Sequence, residues 1–166
     1  MVEDSEPHSV FLLLGSNLGE RLAILHAAAG LIEDRAGKIR SSSSVYETAP
    51  WGVPDQPVFL NQILEIHTER MPEEVLRIIL EIEHDLGRIR YERWGARVID
   101  IDILYFDDRV LDSARLTLPH PRLHERRFTL VPLNEIAPDL IHPLLLKTTR
   151  QLLDICSDPG AVVKIS

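Results

Sequence analysis

Cysteine is nearly absent from this chain of 166 residues, in which Cys156 is the single example. One cysteine excludes an internal disulfide, and a disulfide framework is the feature that would indicate secretion. Residues 1–9 are acidic and lack the basic-then-apolar pattern of a secretory signal. No apolar run approaches the roughly 20 residues that cross a bilayer as a helix. We therefore expect a cytoplasmic protein with no membrane partner.

Positive charge is also in short supply, because 18 Lys and Arg residues face 26 Asp and Glu residues and leave a net charge of -8. That balance argues against a nucleic-acid partner, which needs a positive surface. Within residues 88–127, however, the arginines are crowded: Arg88, Arg90, Arg93, Arg97, Arg109, Arg115, Arg122, Arg126 and Arg127. A local cluster of this kind in an acidic protein suits a compact polyanion, such as a nucleoside triphosphate with its metal.

The composition, with 45% hydrophobic and 27% charged residues, is that of one globular domain. We expect that domain to span residues 1–166, with residues 1–8 flexible. The patterns predict, in chain order, a strand at 10–14, a helix at 22–36, strands at 38–46 and 58–68, a helix at 72–87 and a strand at 98–106. This order is the βαββαβ pattern of a ferredoxin-like α+β sandwich, a mainly antiparallel sheet with helices packed on one face. An extra C-terminal hairpin at 109–118 and helices at 128–136 and 146–155 are also predicted.

The segment from residue 93 to residue 104 is the most informative part of the chain. In an extended strand, side chains two apart share a face, so Asp100 and Asp102 point one way and the isoleucines around them the other. Two carboxylates about 7 Å apart repel one another unless a cation lies between them. Their oxygens suit Mg²⁺ ions that carry phosphates, which Arg93 and Arg97 can clamp. The alternative is an edge strand with a solvated polar face.

A glycine-containing segment, residues 15–19, follows the first strand and invites comparison with phosphate-binding loops. It lacks the final lysine and Ser/Thr of a P-loop, and its spacing differs from that of a dinucleotide fingerprint. We interpret it as a tight strand-to-helix turn, with Ser16 or Asn17 near the helix cap. Any triphosphate must then be held by metal ions and arginines.

Two histidines, His120 and His124, have the spacing of zinc ligands on a helix. Pro119 and Pro121 disfavour a helix there, so a phosphate-contacting His120 beside nearby arginines is the better interpretation. Elsewhere, Trp51 and Phe59 could stack on a flat heteroaromatic ring while Asn61 contacts its edge. The alternative is that these aromatic residues belong to the core.

Taken together, these motifs resemble the 6-hydroxymethyl-7,8-dihydropterin pyrophosphokinase family of the folate pathway. The likeness covers residues 9–145 in one unbroken order, and the string Arg-Trp-Gly-x-Arg-x-x-Asp-x-Asp that begins at Arg93 is highly specific to that family. The other matching segments are 14–18, 44–50, 55–57, 59–61, 81–83, 87–88, 115–120 and 126–128.

The resemblance implies a ferredoxin-like fold and transfer of the terminal pyrophosphate of ATP to the pterin hydroxymethyl oxygen, with release of AMP. It implies that Asp100 and Asp102 bind two Mg²⁺ ions. The catalytic residues that it implies are Arg88, Arg93, Arg97 and Asp102. The ATP-binding residues are Glu83, Arg88, Arg97, Ile103, Arg115, Thr117, His120 and Arg126. The pterin-binding residues are Thr48, Ala49, Trp51, Phe59, Asn61 and Phe128. We expect a monomer.

Several positions depart from the pattern that the resemblance implies. Leu80 stands where several members carry a glutamine, Pro121 where some carry an aromatic residue, Trp51 where an aliphatic residue is familiar, and Phe59 where a tyrosine is. None of these changes removes a metal ligand or an arginine, so we expect activity with altered affinities. The base that deprotonates the hydroxyl stays open between Asp102 and polarisation by metal alone. Two other functions stay open: a non-catalytic nucleotide- or pterin-binding module, and a metal-dependent hydrolase using both aspartates and both histidines. AMP formed only when pterin is present separates the first function from both.

Overall fold

One six-stranded antiparallel sheet lies at the centre of the fold. The computed structural model describes residues 6–16, 20–48, 58–90 and 98–165, with residues 88–90 described by their backbone alone. The elements in chain order are β1 (His8–Ser16), α1 (Arg21–Arg35), β2 (Lys38–Ser42), β3 (Tyr46–Thr48), β4 (Phe59–Thr68), α2 (Pro72–Arg90), β5 (Asp100–Phe106), β6 (Leu111–Asp112), β7 (Thr117–Leu118), a 3-10 turn (Leu123–Glu125), α3 (Arg127–Ile136), α4 (Thr149–Ile155) and β8 (Val162–Lys164). The strands of the sheet lie in the order β5-β1-β4-β3-β8, and β2 also pairs with β4.

The predicted βαββαβ order is confirmed, because α1 connects β1 to β2 and α2 connects β4 to β5. Alternate side chains of a strand point to opposite faces of a sheet, so each face has its own apolar core. On the first face, α1 and α2 pack through Leu25, Ile32, Ile79 and Ile82 against strand residues that include Leu12 and Leu14. On the second face, α3 and α4 pack through Leu130, Leu133 and Leu152 against Phe11, Leu13 and Ile63. The C-terminal helices therefore cover the face that α1 and α2 leave open.

The predicted strand at 38–46 is wrong in its continuity, since it is divided into β2 and β3. Between them, the Ser43 amide donates to Ile63 O at 2.8 Å, and the Ile63 amide donates to Ser43 Oγ at 2.9 Å. The Ser43 hydroxyl thus takes the place of a backbone carbonyl in the hydrogen-bond ladder. β2 and β3 both remain paired with β4, but the regular strand is interrupted between them.

Two predicted helix ends also need correction. The second helix does not end at Gly87 but continues to Arg90. Gly87 has no neighbouring atom within 4 Å of the position of a Cβ, and a glycine in a helix is unfavourable by only about 1 kcal/mol. The last helix begins at Thr149 and not at residue 146, because the Thr148 hydroxyl accepts from the Gln151 amide and caps it.

The predicted hairpin is confirmed, with Leu111 opposite Leu118 and Asp112 opposite Thr117. The helix cap near residue 16 is wrong, because Ser16 is the last residue of β1 and the N-cap of α1 is Glu20. Asn17 lies outside the described residues. Among the helices of the described ranges, none combines the length and the apolar character that crossing a bilayer requires.

Gly30 lies on the exposed side of α1 with open space around the position of a Cβ. We expect Gly30→Ala to raise the free energy of unfolding by about 0.5–1 kcal/mol, because alanine loses less backbone entropy in a helix. Denaturant titration followed by circular dichroism measures this change. Gly37→Ala is the contrasting variant, since its Cβ would lie 2.6 Å from His67 O, and it should be destabilising. Equal effects of the two substitutions would contradict this account.

His142 is 4% exposed, and its Nδ1 accepts from the amides of Leu144 at 3.2 Å and Leu145 at 3.1 Å. Burial and the neighbouring His124 lower the pKa of His142 below its usual 6.5. The unfolded state therefore binds more protons around and below this pH, so stability is present above pH 6.5 and is lost as the pH falls through 6.5 toward the folded-state pKa. We expect His142→Asn, which keeps an acceptor near Nδ1, to flatten this part of the pH–stability curve in urea titrations. An unchanged curve would show that His142 does not titrate on unfolding.

Candidate active site

A row of facing residues crosses the sheet near the C-terminal end of β1. Gly15 lies opposite Asp100 on one side and opposite Asn61 on the other, and Asn61 lies opposite Tyr46. Residues directly opposite one another in a sheet share a face. The row therefore brings together residues from four strands that are far apart in the sequence.

Asp100 and Asp102 lie on the second face of the sheet. Asp102 is opposite Leu13, which belongs to the second-face core, and Ile101 between the two aspartates is 5% exposed in the first-face core. The predicted alternation is confirmed. Asp100 is exposed and Asp102 half-buried, so both remain within reach of a ligand.

The two carboxylates fit the requirements of Mg²⁺, a hard cation that takes oxygen ligands and keeps several of its waters. In the described ranges, no group of three or more His, Cys, Asp or Glu side chains has the arrangement of a metal site. A two-carboxylate site is consistent with a metal that arrives with phosphate oxygens and completes its coordination with water. It is a poor match for a structural zinc site, which takes four protein ligands.

The backbone that carries the aspartates is fixed from two sides. Ser16 Oγ donates to Val98 O at 3.0 Å, which holds the approach to β5 beside β1. Glu83 on α2 is 8% exposed, and its Oε2 accepts from the Ile101 amide. Because β5 is an edge strand, this carboxylate satisfies a backbone donor that the sheet leaves unpaired. Glu83 thus holds the main chain at Ile101, between Asp100 and Asp102.

His120 lies beside Asp102 at the outer edge of β5. Its amide donates to Leu104 O at 2.9 Å, and its Nδ1 accepts from the Arg122 amide at 3.1 Å. Burial lowers the pKa of the imidazole, Asp102 acts to raise it, and Arg126 and Arg122 lower it again, with a net lowering from 6.5. The ring is therefore neutral at pH 7 with its proton on Nε2, because Nδ1 is occupied as an acceptor. Such a ring offers one N–H donor to an anionic oxygen.

Arg126 connects the histidine to the start of α3. It is the N-cap residue of that helix, and its guanidinium carbon lies 5.6 Å from the ring centre of Phe128. This distance is within the range of a cation–π contact. The predicted ATP residue Arg126 and the predicted pterin residue Phe128 are thus held together, with Arg126 also close enough to His120 to lower the pKa of its imidazole.

Asn61, Thr48 and Phe59 lie together at the start of β4. Thr48 Oγ1 donates to Asn61 Oδ1 at 3.4 Å, and Thr48 lies opposite Phe59 in the β3–β4 pairing. A Cβ on Gly15 would lie 3.0 Å from Asn61 Nδ2, so the bare glycine backbone leaves room for the amide. Asn61 is 4% exposed and Thr48 8%, whereas Phe59 is half-buried.

Other residues predicted for the site are placed less closely together. Arg115 is exposed in the turn between β6 and β7, and Thr117 is half-buried in β7. The side chain of Ile103 is 4% exposed in the first-face core, opposite Leu12. Arg88 lies in the last turn of α2, where only the backbone is described. Ala49, Trp51, Arg93 and Arg97 lie outside the described residues.

Two features of the site were missed by sequence reasoning. The first is the close approach of Gly15 to Asn61, which depends on strand pairing and has no local signal. The second is Glu135 on α3, which accepts hydrogen bonds from Ser44 and Tyr46. A glutamate in a helix has no pattern that distinguishes it from a solvated surface residue, so only its contacts reveal it.

Comparisons with known proteins identify the family of this arrangement. A sequence model described as 7,8-dihydro-6-hydroxymethylpterin-pyrophosphokinase (HPPK) matches residues 11–138. A Methylorubrum extorquens protein named 2-amino-4-hydroxy-6-hydroxymethyldihydropteridine pyrophosphokinase is 47% identical over 135 residues, covering 79% of this chain and 84% of that protein. A Bacillus subtilis protein of the same name is 44% identical over 127 residues and covers 76% of each chain.

Solved structures agree at the level of the fold. The wild-type Plasmodium falciparum HPPK-DHPS crystal structure superposes with a TM-score of 0.73 over 92% of this chain, at 18% sequence identity. This chain spans 45% of that longer protein. At this identity the likeness supports the fold and carries no assignment of individual residues.

Proposed function

The chain belongs to the 7,8-dihydro-6-hydroxymethylpterin-pyrophosphokinase family of folate biosynthesis, and on that premise we propose that it transfers pyrophosphate from ATP to 6-hydroxymethyl-7,8-dihydropterin. The proposal rests mainly on one observation. Asp100, Gly15 and Asn61 lie opposite one another in neighbouring strands and form a row on the second face of the sheet. One end of this row suits a metal–triphosphate and the other suits a flat, edge-polar ring.

Asp100 and Asp102 would hold Mg²⁺, and we propose two ions as the family resemblance implies. When bound with ATP, these ions would neutralise charge on the phosphates and favour loss of the hydroxyl proton. The protein contributes a pair of carboxylates on one face of β5. The amide of Ile101 between them is held by Glu83, so the main chain that carries the pair is fixed without a ligand.

The ATP side of the site is cationic and hydrogen-bonding. Neutral His120 offers its Nε2 proton to a phosphate oxygen, and Arg126 adds a permanent charge beside it. We assign ATP contacts also to Glu83, Arg88, Arg97, Ile103, Arg115 and Thr117. Because the side chain of Ile103 is buried in the first-face core, its contact would come from the main chain. Arg88, Arg93 and Arg97 would steady the transferred group, together with Asp102.

The pterin side is formed by Asn61, Thr48, Phe59 and Phe128, and we add Ala49 and Trp51 to it from the resemblance. Asn61 presents an amide, which can donate and accept at once, as the edge of a pterin requires. Its oxygen is oriented by Thr48. Phe59 and Phe128 are half-buried aromatic side chains that supply apolar contact area.

In the proposed reaction, the pterin hydroxymethyl oxygen attacks the β-phosphorus of ATP. A new bond forms between that oxygen and the β-phosphorus, the bond from the β-phosphorus to the α,β-bridging oxygen breaks, and AMP leaves with the bridging oxygen. The hydroxyl proton is released, either to Asp102 or to solvent. Such transfers need positioning and charge stabilisation more than covalent chemistry by the protein.

The test is incubation of the purified protein with ATP, Mg²⁺ and 6-hydroxymethyl-7,8-dihydropterin, with chromatographic separation of the nucleotides. AMP formed in step with pterin diphosphate supports the proposal. Formation of ADP, or binding of pterin without turnover, would indicate the non-catalytic module instead. Release of AMP or phosphate without pterin would indicate a metal-dependent hydrolase.

We propose further that residues 1–166 form a single domain acting as a cytoplasmic monomer, with no nucleic-acid or membrane partner. The net charge of -8 supports the absence of a nucleic-acid partner. Sedimentation analysis tests the oligomeric state.

A further inference from the structure

A single carboxylate on α3 is bound to the segment that begins β3. Glu135 Oε1 accepts from the Ser44 amide at 2.9 Å and from the Tyr46 hydroxyl at 2.8 Å. Glu135 Oε2 accepts from Ser44 Oγ at 2.8 Å. Both oxygens are therefore occupied by donors from residues 44–46, although Glu135 itself lies on the protein surface. Ionised acceptors make stronger hydrogen bonds than neutral ones.

The bonded segment leads directly into the proposed pterin side of the site. Tyr46 lies opposite Asn61, and Thr48, two residues further along the same face, donates to Asn61 Oδ1. β3 is only three residues long, and it is separated from β2 by the interruption at Ser43. Its ladders with β4 and β8 are each only three residues long, so we expect further contacts to contribute to its position.

The other end of the contact lies on the helix that supplies Phe128. α3 runs from Arg127 to Ile136, so Glu135 is near its C-terminal end and Phe128 in its first turn. Phe128 and Glu135 lie on one ten-residue helix that also packs on the second-face core through Leu130 and Leu133, so the contact of Glu135 with Ser44 and Tyr46 adds to what holds Phe128 relative to β3. The aromatic part of the pterin side on α3 and its amide part on the sheet are thus joined by a polar contact in addition to the apolar core.

We propose that Glu135 is a positioning residue for pterin binding, which sets the distance between Thr48 and Asn61 on the sheet and Phe128 on α3. It does not touch the substrate and acts through Ser44 and Tyr46. This inference rests on the proposed function for the identity of the ligand. Its geometric part, the connection of α3 to β3, stands on the hydrogen bonds alone.

The ionisation states suit a permanent contact. Burial and the nearby Glu135 carboxylate raise the pKa of the Tyr46 hydroxyl to about 12, so it remains a donor. Burial acts to raise the pKa of Glu135, but hydrogen bonds from Tyr46 and Ser44, and the charge of Lys164 on β8, hold it below its usual value. The carboxylate is therefore ionised throughout the neutral pH range.

The experiment compares Glu135→Ala, Glu135→Gln and Tyr46→Phe with the wild-type protein and with Asp139→Ala as a matched control. Asp139 is an exposed carboxylate just beyond α3 that pairs with Arg150 at 3.1 Å. We expect Glu135→Ala to raise the KM for pterin about tenfold, with the KM for ATP changed less than about twofold. Glu135→Gln and Tyr46→Phe should give smaller increases in the same parameter, because each keeps some of the hydrogen bonds. Asp139→Ala should match the wild type.

Equal increases in both KM values, or no increase in the pterin KM of a folded Glu135→Ala protein, would overturn the proposal. If Glu135→Ala does not fold, the same criterion applies to Glu135→Gln and Tyr46→Phe. Fluorescence titration of pterin in the presence of a nonhydrolysable ATP analogue separates this inference from the proposed function. A wild-type protein that binds pterin without producing AMP would refute the pyrophosphokinase reaction, whereas the ranking of pterin affinities among the variants would still decide the role of Glu135.

Discussion

Replacement of Asp102 by asparagine should reduce Mg²⁺-dependent formation of AMP about a thousandfold. Asparagine keeps the size of the side chain but removes the charge, and the loss of a metal-held phosphate interaction is worth several kcal/mol in the transition state. Asp102 is half-buried beside His120. The only other carboxylate on β5 is Asp100, two residues away, so the strand has no further residue that could replace either aspartate. Asp100→Asn should have a similar effect. Steady-state rates across a Mg²⁺ titration measure both changes.

The matched control for these variants is Asp112→Asn, because Asp112 is exposed on β6 and has no role in the proposed site. All three proteins should keep the far-ultraviolet circular dichroism and cooperative unfolding of the wild type. A wild-type rate in Asp102→Asn would refute the metal assignment. A loss of activity in Asp112→Asn of the same size would show that the assay reports general damage to the hairpin region.

Replacement of Gly15 by alanine should weaken pterin binding about tenfold to a hundredfold while leaving ATP binding close to the wild-type value. The added Cβ would lie 3.0 Å from Asn61 Nδ2, so the buried amide must move by a few tenths of an ångström or more. A displaced recognition group of this kind has large effects because its hydrogen bonds depend on position. Titration of each substrate separately measures the two affinities.

Stability distinguishes this effect from general destabilisation. Alanine is more favourable than glycine in a strand, so the free energy of unfolding of Gly15→Ala should lie within about 1 kcal/mol of the wild-type value. Gly30→Ala, with no atom within 4 Å of its Cβ, is the matched control and should bind pterin normally. If Gly15→Ala binds pterin as tightly as the wild type, the amide of Asn61 is not the group that recognises the ring edge.

The arrangement of the two aspartates on β5 was predictable from sequence because its signal is local. The alternation of Asp100 and Asp102 with Ile99, Ile101 and Ile103 fixes which side chains share a face of one strand, whatever that strand pairs with. The same is true of the helical spacing along α1 and of the hairpin that joins β6 to β7. Each of these patterns depends only on neighbours within a few residues.

Where local signals were weak, the predictions failed at the boundaries. A single glycine did not end α2, since a glycine inside a helix costs only about 1 kcal/mol, which is too little to stop a helix that packs well elsewhere. The serine run at 41–44 fitted a continuous strand, yet Ser43 used its hydroxyl in the ladder and divided the strand in two. Side chains that compete with the backbone for hydrogen bonds are chosen by their surroundings and not by the sequence nearby.

The sequence by itself determined the order of the elements, the family resemblance and the pair of carboxylates on one face. Only the tertiary structure decided that Asp100, Gly15, Asn61 and Tyr46 form one row, and that Glu135 joins this row to α3. Those relations depend on the register between strands and on the seating of a C-terminal helix against the second face. Register is set by long-range pairing and by burial of both faces together, so the short-range periodicity of one strand holds no information about its partner.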